Sequence, residues 1–158
     1  MKTEIKFYGG LNTIGGVVMS IIYGNERLLL EIGMAYNPAS DVYDGMVTHR
    51  VDNYLVDELK LKRAPIVDGL YSKEYLRDYD LIAAEDSNLH TSIFITHMHL
   101  DLMSCMGLVS DNVDIYLSKP AQVLEEALET VGKGVKYLRK TPFKELDPKK
   151  EYHLGDIT

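Results

Sequence analysis

A single cysteine, Cys105, no tryptophan and only five prolines stand among the 158 residues. One cysteine excludes an intramolecular disulfide and any cysteine-based zinc cluster within the chain. No run approaches the roughly 18 apolar residues of a membrane span, and Met1-Lys2-Thr3-Glu4 leads into a strand pattern rather than an apolar signal region. A cytoplasmic protein with no membrane partner is expected. Positive charge is also scarce: the net charge is −7, which argues against tight non-specific nucleic-acid binding by this chain alone. The exception is 133–150, with seven basic and two acidic residues. Its Lys133, Lys136, Arg139, Lys140, Lys144, Lys149 and Lys150 could meet phosphates, but such runs are more often solvated surface.

At 46% hydrophobic the chain can bury one sizeable core, and a single domain over 1–158 is the default. Ile5–Tyr8 and Val17–Tyr23 are β-branched or aromatic runs bounded by glycines, and Arg27–Ile32 returns after the Gly24-Asn25 turn, giving an antiparallel meander. Gly10 and Gly15 have the spacing of a phosphate loop, but Gly16 stands where its lysine would be. Turn glycines supplying positive φ account better for Gly9, Gly10, Gly15 and Gly16. Residues 34–90 read as an acidic insertion holding six of the 11 tyrosines. Val51, Leu55 and Leu59 are spaced for one helix, and Ser72 is placed to cap another through Tyr79. Packing is the expected work of these tyrosines, with base stacking the alternative. Further on, Ile93–Thr96 and Asp114–Leu117 read as strands, and Leu102–Val109 as a short helix. Lys119–Val131 reads as a helix packing through Val123, Leu124, Ala127, Leu128 and Val131, with Gly132 ending it. Glu151–Leu154 reads as a final strand.

The chemistry concentrates in Thr96-His97-Met98-His99-Leu100-Asp101-Leu102. An extended backbone points residues 97, 99 and 101 to one side, where two imidazoles and a carboxylate can converge on one ion. A shuffled chain of this composition contains H-x-H-x-D about once in a hundred, and here it follows the best strand candidate, at the carboxyl end where α/β sheets gather ligands. The competing reading makes His97 and His99 loop residues bonded to backbone and Asp101 a helix cap.

This segment resembles the H-x-H-x-D-H signature of the metallo-β-lactamase superfamily. Tyr8-Gly9-Gly10-Leu11-Asn12-Thr13-Ile14-Gly15-Gly16 is similar to the glycine-rich turn of its RNA-processing branch, the ribonuclease J-like and β-CASP-type enzymes, and Leu28–Gly33 is similar to that branch's third strand with its acidic-x-Gly ending. The resemblance covers 3–36 and 91–131. It implies the N-terminal half of an αββα sandwich, a mixed sheet with helices on one face, and a metal-dependent hydrolase cleaving RNA phosphodiesters. His97 and His99 would belong to the first metal site and Asp101 to the second, with Asp101 also holding the nucleophile. Zinc, or else manganese, is the implied ion, one at most and weakly held. Leu102 replaces the signature's last histidine, and Gly155-Asp156-Ile157-Thr158 falls about where a strand toward the next ligand would begin. His49, His90, His153 and Cys105 are poorly placed to substitute. The alternative is therefore an inert, truncated relative serving as a binding or structural module. Its exposed sheet face would be covered by a second copy or a complementary domain.

Overall fold

The structure is a computed structural model and describes residues 2–35, 43 and 47–158. Three antiparallel strands, β1 (Glu4–Gly9), β2 (Val18–Tyr23) and β3 (Glu26–Leu30), open it. β4 (His90–Ile95), β5 (Asp114–Leu117) and the two-residue β6 (Lys144–Glu145) then add in parallel, giving one mixed sheet in the order β1-β2-β3-β4-β5-β6. The helices are α1 (Tyr54–Lys60), α2 (Lys73–Leu76), α3 (Leu100–Met103) and α4 (Lys119–Thr130). The class is α/β, as the strand and helix patterns predict.

Strand alternation sorts the side chains onto two faces. Ser20, Leu29, Ile93 and Ile115 align across β2 to β5, and all four are fully buried. Leu55 and Leu59 of α1, Met103 of α3 and Ala121 of α4 belong to the same core cluster, so the helices cover this face. The opposite face carries two registered rows: Ile5, Ile21, Leu28, Ser92 and Asp114, then Phe7, Met19, Leu30, Phe94 and Tyr116. Residues 150–158 lie over part of it. Tyr152 packs edge-on against Phe94 and Tyr116 at ring separations of 5.6 and 5.7 Å, and Leu154 is buried beside them. At the β1 edge the face stays open, with Ile5 59% and Phe7 51% exposed.

The insertion is tied down by polar contacts as well as apolar ones. Arg27, buried in β3, donates from Nε to Thr91 Oγ1 at 3.0 Å and from its terminal nitrogens to the carbonyls of Asp68 and Gly69. Tyr71 is fully buried and donates its hydroxyl to the Pro65 carbonyl at 2.6 Å. Tyr54, Tyr75 and Tyr79 pack against the core, so these tyrosines act as packing residues; Tyr36 lies outside the described residues. Val51, expected in the α1 stripe, is exposed and sits in a 3-10 turn. Ser72 occupies the cap position of α2 without a side-chain capping bond, and that helix ends at Leu76 rather than Tyr79.

Three expectations need correction. The stretch 151–154 is not a strand: Leu154 and Ile157 close a two-residue turn through paired backbone bonds, and the last strand is β6. Residues 102–109 do not form one helix but α3 followed by a 3-10 turn at Met106–Leu108. Helix α4 is rotated relative to its expected packing: Ala121 and Glu125 are buried, whereas Val123, Leu124 and Val131 are exposed. Polar contacts hold it so. Glu125 accepts the Tyr137 hydroxyl at 2.6 Å, and the Gln122 amide donates to the carbonyls of Leu117 and Lys144.

The basic segment is also less free than its composition suggests. Arg139 is buried and donates to the carbonyls of Thr141, Ser110 and Val113, and Lys144 pairs with Asp114 at 2.6 Å. Desolvation lowers the pKa of the Arg139 guanidinium from its usual value.

Candidate functional site

The site loop leaves the carboxyl end of β4 at Thr96. Two neighbouring segments fix its course: Gly16 N–H donates to the Asp101 carbonyl at 2.8 Å, and Ile32 N–H donates to the Leu102 carbonyl at 2.7 Å. Such closeness needs glycine. A Cβ on Gly33 would overlap the Asp101 carbonyl, and one on Gly15 would overlap the Asp101 carboxylate. Gly10, Gly15 and Gly16 have positive φ as expected, whereas Gly9 serves by letting Gly16 approach. The glycine pattern thus builds the wall against which Asp101 rests.

Of the three predicted ligands, the structure brings His97 and His99 together, with ring centroids 4.7 Å apart in an edge-on arrangement. Both are exposed. Asp101 is half-buried, its carboxylate beside Gly15. Asp101 does not cap the helix; His99 holds that position. His97 bonds a side chain rather than backbone: its Nδ1 lies 2.9 Å from Thr96 Oγ1.

That contact extends to a residue whose role the sequence reading missed. Glu31 follows β3 in the left-handed region, at φ 62°, and is buried at 6% exposure. Its carboxylate accepts the Thr96 hydroxyl at 2.5 Å and the Thr96 N–H at 3.3 Å. The Thr96 hydroxyl thus bridges the Glu31 carboxylate and His97 Nδ1, and this bridge orients the imidazole. Burial pushes the Glu31 carboxyl above its usual pKa, against the Thr96 hydrogen bonds and the neighbouring His97, while Asp101 adds to the rise. The signal in the sequence was an acid ending a buried strand.

Among the described residues no group of three or more His, Cys, Asp or Glu side chains is arranged to hold a metal ion. Leu102 is half-buried beside Asp101. His90 opens β4 at the end opposite His97 and pairs with Glu26, while His49 pairs with Glu58. Cys105 is buried, and desolvation pushes its thiol up to about 12, so it packs as a small apolar residue. The donor types, two imidazoles and a carboxylate, with a hydroxyl orienting one ring, are those a zinc-class ion accepts; among the described residues they are not gathered into a group of three.

Fold and site together define an α/β chain with a histidine pair at the carboxyl end of its central strand. No family model and no curated protein matches it. It is similar to a solved protein of unknown function from Enterococcus faecalis V583, with 22% identity and a TM-score of 0.79 over 99% of this chain and 36% of that one. The likeness shows the fold, and the chain spans about a third of that protein's length. Among the described residues no helix is long and apolar enough to cross a membrane.

Proposed function

We propose that the chain carries part of a metal-dependent hydrolase site of the metallo-β-lactamase type, with RNA phosphodiesters as substrate after the ribonuclease J-like branch it resembles. The observation that supports this is the chain of contacts from Glu31 through Thr96 to His97, which orients one exposed imidazole beside a second. His97 and His99 would hold the ion, zinc or manganese, with Asp101 contributing from the loop pinned by Gly15, Gly16 and Gly33. A divalent ion there would acidify a bound water at neutral pH. Glu31 and Thr96 orient the first imidazole, and the glycine wall sets the position of the Asp101 carboxylate.

Leu102 and the partial donor set argue that this chain alone is inactive. In this reading the remaining donors come from polypeptide packed on the open sheet face, whose exposed Ile5 and Phe7 call for cover. A complementary domain or a second copy would serve. The second reading, an inert binding module, rests on the same face. A cytoplasmic setting belongs to the proposal as well, since the buried Cys105 needs no oxidising compartment.

Zinc titration by calorimetry tests the assignment. Weak binding is expected, falling at least tenfold in His97→Ala and in His99→Ala, while His153→Ala leaves it unchanged. Equal affinity in all four proteins would remove these residues from the site.

A further inference from the structure

Strand β1 ends the sheet, and among the described residues it pairs with β2 alone. Residues 2–7 are all exposed, so the strand is open on both faces, and no described strand takes up the outward N–H and C=O groups of its edge. Ile5 and Phe7 share one face. Glu4 and Lys6 share the other and pair at 2.9 Å, each with about half its side chain in solvent. The register with β2 is regular from Glu4 to Phe7, and a bulge between Phe7 and Gly9 then breaks it.

We infer that β1 is a dimerisation edge: a second copy of this chain pairs with it antiparallel across a two-fold axis through Ile5, making one continuous sheet from two. Glu4 then stands opposite the partner's Lys6 and Lys6 opposite the partner's Glu4, while Ile5 meets its own counterpart and Phe7 meets the partner's Thr3. The ladder runs over residues 3–7 and stops short of the bulge. The sequence selects this register. Sliding by one step of two residues sets Lys6 against Lys6 and draws Tyr8 of the bulge into the ladder; the opposite step sets Glu4 against Glu4 and Lys2 against Lys6. Turning one copy over brings its charged face level with the apolar face of the other. An edge complementary to itself selects a second copy over an unrelated strand. This pairing lies in the plane of the sheet, apart from the open face and from His97 and His99, so it stands or falls independently of the metal site.

Sedimentation velocity of the 158-residue chain over a concentration series tests this, and a reversible dimer is expected. Lys6→Glu sets carboxylates opposite each other at two places and should raise the dissociation constant about tenfold. Adding Glu4→Lys to it reverses both pairs and should restore the wild-type affinity. Under oxidised glutathione, Ile5→Cys should give a disulfide-linked dimer. Phe7→Cys should not, because its counterpart lies about 13 Å along the strand, and the buried Cys105 stays out of the reaction. Circular dichroism of each variant confirms the fold, since every change lies on the exposed strand. A monomer at every concentration overturns the inference. So does a dimer that Lys6→Glu leaves unchanged or that the double substitution fails to restore, and so does linkage through Phe7→Cys in place of Ile5→Cys.

Discussion

Gly33 and Glu31 show at the scale of single residues how the site is held. A side chain at Gly33 meets backbone rather than a flexible group, so Gly33→Ala should destabilise the chain by about 2–3 kcal/mol. Gly132 instead has a positive φ of 69° with open space around it, and Gly132→Ala should cost only about 1 kcal/mol. Urea unfolding of the two variants checks the contrast. Glu31 predicts a pH dependence. Its folded-state pKa lies above the ordinary 4.5, so the native state holds the proton more tightly than the unfolded chain does. The resulting stabilisation is complete below the ordinary value and is lost as pH rises through the raised one. Thermal melts should therefore show wild type losing ground to Glu31→Gln across that window and no relative change below it. A constant difference would mean that Glu31 does not titrate there. The pairing of His97 with His99 was legible from alternate spacing after a buried strand, whereas Asp101 lies inside α3 and no group of three ligand side chains forms among the described residues. Glu31 was not legible, because its partner Thr96 is 65 positions away and only pairing of β3 with β4 joins them.

Among the elements, α4 separates what periodicity reveals from what it cannot. Its ends were legible: Ser118 accepts from Ala121 N–H at the start, and Gly132 follows with positive φ. The apolar stripe was legible too, but not its direction. Tyr137 and Gln122 decide that through hydrogen bonds that no hydrophobic pattern encodes. Leu124→Lys should accordingly change stability by no more than about 0.5 kcal/mol. Glu125→Ala, which strands the Tyr137 hydroxyl, should cost about 1–3 kcal/mol, as read from denaturant midpoints. The reverse ranking would restore the packing expected from the sequence. The strands were easier to read, since β-branched runs between glycines mark them and the central ones are buried by neighbours on both sides. The terminal segment misled because Tyr152 and Leu154 are apolar through packing on the sheet face, not through membership of it.

Among the described residues, one layer of helices covers one face of a mixed sheet, and the other face is only partly covered, by residues 150–158. That asymmetry and the proposed metal site have a common explanation if a second layer supplies both cover and ligands. The central claim is that the chain holds part of a hydrolytic metal centre and is inactive by itself. The most direct measurement is metal content by elemental analysis, joined to cleavage of an end-labelled single-stranded RNA with added zinc or manganese. The expected result is less than one ion per chain and no cleavage above that of the His97→Ala, His99→Ala double variant. Stoichiometric metal with cleavage that the double variant abolishes would contradict it, and would show a complete active site within these 158 residues.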